Sequence, residues 1–404
     1  KSVTYVSLTI CNPCVRVGPF GSGFIWLPAG LVLGLIITAL LAPRIRTVSE
    51  QCHMYTISDF FNHYCGARTR ILSAVVVFIL FLFIAVIQFI VGGRALTEVT
   101  GLTYHWAVIV MACITLTYLL LSGFQAVIRT DIVQFALFAL LLIVFFTYAD
   151  IPEAADPGQL GTDTVFNMGI GMSLLTMLSI VVPVFAGADT WQRIYAARTI
   201  NGARIGMLVA AIISVIVYGL VGITGVIVAD VAPEIPPDDA IIHAIGNFLP
   251  AGLAPFGMLF LFVIVMSSLD SCLFVTATNL GNDLFRYNFS DHGLRRMLRL
   301  SIVFTSVIAM VIGLFWRDIV DILFAGIAIS QSIGPPVLAL LFYGHRMKEA
   351  AIFYAVIFGT LAYILTVVGG LMPKGTEFLI PLLGTSIIML GLQIVLPQHK
   401  TASV

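Results

Sequence analysis

The sequence predicts an all-α, polytopic transmembrane helix bundle, and three observations carry that expectation. Of 404 residues, 60% are hydrophobic and only 10% charged, where a soluble domain carries about a quarter charged. Apolar runs long enough to cross a ~30 Å hydrocarbon core recur along almost the whole chain. They lack the alternating polar positions of ~10-residue barrel strands, so helices follow. With 29 Phe and 12 Tyr the chain cannot stay disordered, and 20 basic against 20 acidic residues leave no net field for nucleic acid.

Eleven spans are read from the runs at 22–42, 71–93, 106–122, 132–148, 166–186, 205–229, 255–280, 300–316, 322–343, 350–370 and 379–397. Residues 2–10 look like the end of a further, partial helix; with Lys1 in place of Met, the chain reads as truncated at its N-terminus. Only 43–70, 149–165, 187–204, 230–254 and 281–299 have the length of loops, and none could hold a separate soluble domain, so residues 1–404 form one transmembrane unit.

Orientation follows from Lys and Arg. With 43–70 cytoplasmic, alternation puts Arg44, Arg46, Arg68, Arg70, Arg129, Arg193, Arg198, Arg204, Arg286, Arg295, Arg296, Arg299, Arg346, Lys348 and Lys400 inside, fifteen against the five of Lys1, Arg16, Arg94, Arg317 and Lys374. That split obeys the positive-inside tendency, places the C-terminus in the cytoplasm, and leaves the acidic loops (Asp150 to Asp163, Asp230 to Asp239) outside.

Enzyme chemistry finds little support. Cys11-Asn-Pro-Cys14 could be a disulfide or a metal pair, but no second C-x-x-C or nearby His completes a four-ligand site. Cys113 and Cys272, inside spans, read as small space-filling residues. His53, His63, His105, His243 and His345 fall in loops or at interfaces, unlike haem ligands, and no nucleotide-binding or hydrolase motif is present.

Polar groups within the spans are informative because they are costly in hydrocarbon. Met266-Ser267-Ser268-Leu269-Asp270-Ser271-Cys272 places Ser268 and Ser271, and Ser267 and Ser271, on one helical face. Hydroxyls, the carboxylate of Asp270 and freed backbone carbonyls suit a hard monovalent cation. Alternatively the serines bond back to i−4 carbonyls and the small face packs helices, which leaves Asp270 unexplained. A second cluster runs from Ser122 to Gln134, with Asp131 at the N-terminus of the helix at 132–148; simple capping by Thr130 or Asp131 is the alternative. The third feature is helix breakage, at Pro183 and at Ser330-Gln331-Ser332-Ile333-Gly334-Pro335-Pro336, where freed carbonyls and a mid-membrane Gln331 need partners.

At these residues the chain resembles the sodium:solute symporter family. Tyr55-Thr56-Ile57-Ser58-Asp59-Phe60-Phe61 is similar to its T-x-x-[DE]-[FY] segment, and Ser122-Gly123 through Thr130-Asp131-x-x-Gln134 to its G-G-x-x-A-V-x-x-T-D-x-x-Q. Gln192-Arg193-Ile194-Tyr195-Ala196-Ala197-Arg198 resembles Q-R-x-x-A-[AC]-[KR], Ser267-Ser268-Leu269-Asp270-Ser271 its S-[ST]-x-x-S, Asp283-Leu284-Phe285 its D-[LI]-[FY], and Gly344 to Lys348 the turn before the penultimate span. The resemblance implies an inverted-repeat, five-plus-five helix fold and a secondary carrier that couples sodium entry to uptake of a small organic solute by alternating access. It implies a multi-pass protein of the plasma (cell inner) membrane in which one subunit can suffice. Its alternative is a transport-inactive sensor with the same fold. Carried over, Ser267, Ser268 and the Ile264 carbonyl match the shared sodium site; Asp131 and Ser271 match a second, more cytoplasmic one, at which Asp270 replaces the family's hydroxyl residue, so that, beyond the family pattern, two carboxylates there would let sodium and a proton compete. Gln331, Pro183 and Phe185 match positions lining or gating the solute cavity, and Thr4 and Tyr5 are what remains of the first core helix. No resident cofactor is implied; sodium is co-transported.

Overall fold

A computed structural model describes residues 23–52, 54, 56–151, 169–284, 291–369 and 378–396. Among them are thirteen α-helices: α1 (Gly23–Cys52), α2 (Ile57–Thr100), α3 (Tyr104–Tyr148), α4 (Gly169–Phe185), α5 (Ala188–Ala196), α6 (Ile200–Val231), α7 (Ala240–Phe248), α8 (Ala254–Thr278), α9 (Asp291–Phe315), α10 (Ile319–Ser330), α11 (Gly334–Tyr343), α12 (Glu349–Gly369) and α13 (Leu379–Val395). Eight stretches are long and apolar enough to cross a membrane, the bent pair α4–α5 makes a ninth, and Val133–Tyr148 and Leu379–Val395 are shorter apolar helices. The protein is a multi-pass integral membrane protein.

α8 is the centre of the bundle, packed along α2 and α3 and buried from Gly257 to Ala277 on most of its surface. α1 lies along α4 and α6, α10 along α2, and α12 pairs with α13. The α1–α4 seam is tight enough to require glycine: a Cβ on Gly30 would stand 2.2 Å from the Met177 carbonyl oxygen, and one on Gly34 2.7 Å from Val184 Cβ. The surface of the bundle is apolar instead, with Leu121, Phe315 and Ile394 more than three-quarters exposed, as a lipid-facing surface requires.

The expected loops differ most from the structure. The stretch 43–70 is largely helical: α1 continues past Pro43 to Cys52, and α2 begins at Ile57 behind Thr56. Thr56 and Asp59 form a capping box, the Thr56 hydroxyl accepting from Asp59 N at 3.1 Å and Thr56 N donating to Asp59 Oδ2 at 3.2 Å. α2 then breaks at Gly66, whose φ of 76° and ψ of −179° only glycine adopts readily, so 57–65 is a short helix set off from the long one. The expected turn between 122 and 132 is helix, because that segment has one glycine and no proline to interrupt α3. The loop 187–204 carries α5, and 230–254 carries a 3₁₀ turn at Pro237–Asp239 and α7. α9 begins at Asp291, nine residues ahead of the expected span. Cys272 is buried as expected, whereas Cys113 lies on the exposed surface of the bundle and does not fill its interior. Cys11 and Cys14 lie outside the described residues.

Candidate ion and solute site

The hydroxyl cluster sits in a well-buried stretch of α8. Ile264 and Asp270 have no exposed surface, Ser268 has 2% and Ser267 7%, while Ser271 is half-buried. α8 runs without a break through all five, so the Ile264 carbonyl remains a helix acceptor and offers an ion only its second lone pair. This departs from the expectation of freed carbonyls on this helix: α8 has its proline in the first turn, where no intrahelical bond is lost. Thr276, further along the helix, does bond back, to the carbonyls of Cys272 and Leu273, both at 3.0 Å. Ser268 makes no such bond among the described residues, which leaves its hydroxyl oxygen available to a ligand. Asp131 lies within α3; its side chain, and the whole of Thr4 and Tyr5, lie outside the described residues. No cluster of three His, Cys, Asp or Glu suited to a resident metal is found among the described residues.

The two breaks that sequence singled out meet each other. Pro183 has no N–H, so the carbonyl four residues back, at Ser179, loses its helical partner. Gln331 Nε2 donates to that oxygen at 2.6 Å. Gln331 is fully buried, and its Oε1 has no partner among the described residues. The break itself is a single 3₁₀ turn, Gln331–Ile333, between α10 and α11, and not a long unwound stretch. Gly334 lies so close to α4 that a Cβ there would stand 2.1 Å from Val182 Cγ1. Ser332 is fully buried and accepts from Thr360 Oγ1 of α12 at 3.2 Å. Pro183 is half-buried. The Phe185 side chain is buried in the core, and its carbonyl receives Trp191 Nε1 at 2.7 Å across the 44° bend between α4 and α5.

Sequence reasoning missed how the motif segments join. Thr56 Oγ1 donates to Asp283 Oδ1 at 2.8 Å, so the cap of α2 is tied to the short π-helix Asn279–Leu284 that continues α8. Asn279 and Asn282 also donate to the Asp283 carboxylate, at 3.3 and 3.0 Å. Phe60 packs edge-on against Trp191 with ring centroids 4.9 Å apart. Arg46 of α1 donates to the Ile194 carbonyl at 2.9 Å and to that of Tyr195, placing a cation on the last carbonyls of α5, where the helix dipole favours it. These contacts gather α1, α2, α5 and the end of α8 at one end of the bundle.

Comparison with known proteins agrees with this architecture. A model of the sodium:solute symporter family matches residues 17–156. The osmoregulated proline transporter OpuE of Bacillus subtilis (strain 168) is 28% identical over 379 residues, which is 87% of this chain and 76% of that protein. The high-affinity proline transporter PutP of the same organism is 29% identical over 371 residues, 81% of this chain and 74% of that protein. Among solved structures, a Na+-coupled sialic acid symporter in a substrate-bound, outward-open state superposes with a TM-score of 0.73 at 14% identity, over 100% of this chain and 91% of its own. Mhp1, a nucleobase-cation-symport-1 family transporter in a closed conformation, superposes with a TM-score of 0.58 at 12% identity, over 96% of this chain and 91% of its own. At such identities the superpositions speak for the fold alone, the inverted-repeat architecture of sodium-coupled carriers. Together with the motif order along the chain, these matches make the chain similar to the sodium:solute symporter family over residues 17–156 and to two proline transporters over most of its length.

Proposed function

We propose that this protein couples sodium entry to uptake of a small organic solute by alternating access, from the plasma membrane, with its C-terminus in the cytoplasm. The observation that carries this reading is the pair Ser267 and Ser268, buried hydroxyls on the central helix of a symporter fold. Sodium takes oxygen ligands: the two hydroxyls and the Ile264 carbonyl form one set. Asp131, Asp270 and Ser271 form a second, where the carboxylates neutralise the ion's charge. Solute lies toward the Pro183–Gln331 contact, where the Gln331 Oε1 can accept a hydrogen bond from a solute N–H or O–H. Phe185, Thr4 and Tyr5 belong to the same proposed solute set. The two relatives named above are proline transporters, so a small zwitterionic amino or imino acid is the first solute to test.

The test is a sodium titration of solute binding. The double variant Ser267→Ala and Ser268→Ala should raise the half-saturating sodium concentration at least several-fold while the protein stays folded. An unchanged sodium dependence removes these hydroxyls from the ion site.

A further inference from the structure

Arg94, at the end of α2, touches two other segments. Its Nη1 lies 2.9 Å from Asp239 Oδ1 and 3.6 Å from Asp238 Oδ2, and its Nη2 donates to the Arg317 carbonyl at 3.1 Å. Asp238 accepts the backbone N–H of Ile319, the first residue of α10. Arg317 is itself held, stacked 4.2 Å over the Tyr104 ring with Nη2 3.2 Å from His105 Nε2. One guanidinium thus joins the end of α2, the turn that opens α7, and the start of α10, whose far end leads into Gln331.

α7 is placed as a cover. Its apolar face (Ala240, Ile241, Ala244, Ile245, Phe248) is buried against α6 and α8, close enough that a Cβ on Gly257 of α8 would stand 2.7 Å from Ile245 Cγ2. Beneath it is a small apolar pocket lined by Phe138, Phe145, Thr224, Ile241, Ile245 and Leu261. No ion or solute ligand proposed above belongs to this cluster.

We propose that Arg94 is a positioning residue for transport, a latch that pins α7 and the start of α10 together, and that protonation of Asp238 tightens its closure. The proposal rests on the sodium-coupled carrier reading and on the orientation that puts this face outside.

The groups facing Asp238 are Arg94 from α2, Asp318 and the Ile319 N–H at the head of α10, and Asp239 on its own turn. Burial pushes the Asp238 carboxyl up to about 6; Arg94 and the Ile319 N–H pull it back, and Asp318 and Asp239 add repulsion. In water an aspartate titrates near ~3.9. The closed latch therefore binds a proton more tightly than an open one, so acid favours closure and alkali favours opening. Between about pH 7.5 and about pH 5, linkage gives roughly a tenfold shift toward the closed form.

The experiment uses the full chain in proteoliposomes with the variant Ala240→Cys, at the first residue of α7 on its buried face, 4% exposed. Modification of residue 240 by a membrane-impermeant maleimide is followed by mass spectrometry, with pH varied on the side facing α7. In the Asp238→Asn background the Asp238 carboxyl is gone, and the remaining pH slope is that of the thiol and of every other group at the latch. After that correction, labelling should fall about tenfold as pH drops from about 7.5 to about 5. Arg94→Ala should speed labelling at every pH, and Arg94→Lys should restore much of the protection. Equal pH slopes with Asp238 in place and in the Asp238→Asn background would overturn the proposal, as would Arg94→Ala labelling at the original rate. Should Arg94→Ala not fold, the Asp238→Asn comparison decides alone. Loss of sodium dependence in uptake with the labelling pattern intact would strike the carrier reading and leave the latch standing.

Discussion

The Gln331–Ser179 hydrogen bond links two expectations that sequence could only state separately. A proline in a helix frees a carbonyl, and a glutamine in the membrane needs a partner; across 152 positions, nothing in the sequence says that each answers the other. This bears on whether Gln331 also meets solute, since its amide nitrogen is already used. Gln331→Ala should strand a buried carbonyl, costing ~1–3 kcal/mol, and should also weaken solute binding. Adding Pro183→Ala gives residue 183 an N–H for the Ser179 oxygen, so thermal stability in detergent should recover. Solute affinity should stay low in the double variant, because the Oε1 acceptor is still missing, with the Pro183→Ala single variant measuring what loss of the proline ring does by itself. Recovery of both would make Gln331 a tether and remove it from the solute contacts.

Among the helices, the long apolar ones were legible and the short amphipathic ones were not. Hydrophobic length marks α6, α8 and α12 without ambiguity, whereas α5 and α7 are nine residues each and sit inside what read as polar connections. What keeps these two folded is packing against α2, α6 and α8, which a one-dimensional pattern cannot contain. Glycine tells a similar story. Gly30 and Gly206 look alike in sequence, yet a Cβ at Gly30 collides with the backbone of α4 while one at Gly206 meets nothing within 4 Å. Gly30→Ala should therefore force α1 away from α4, lowering stability by ~1–3 kcal/mol in a detergent melt. Gly206→Ala should be neutral or gain up to ~1 kcal/mol of helix propensity. Equal effects from the two substitutions would mean that the α1–α4 seam is looser than its geometry indicates.

For the whole molecule, composition and the order of motifs along the chain carried the fold, and distance along the chain hid its joints. Thr56 and Asp283 are 227 positions apart, yet share a hydrogen bond that ties two motif segments at one end of the bundle. Of the proposed ion site, the helix and its hydroxyls are legible because polar residues stand out in an apolar run. The unbroken backbone at Ile264 is not, since a carbonyl leaves no mark in sequence. Placing charge on a central, buried helix has an electrical consequence. An ion that reaches Ser267 and Ser268 and continues to the other side crosses the whole membrane field, worth ~2.3 kcal/mol per charge per 100 mV. Carried with a neutral or zwitterionic solute, one sodium per cycle should raise steady-state accumulation about fiftyfold per ~100 mV, inside negative, at equal sodium on both sides. Two sodium ions per cycle should square that factor, so the slope of log accumulation against an imposed potassium diffusion potential counts the charges moved. With sodium replaced by choline the slope should vanish. A flat response in sodium, with solute still entering, would mean that no net charge accompanies the solute, and coupling through a sodium ion on α8 would have to be abandoned.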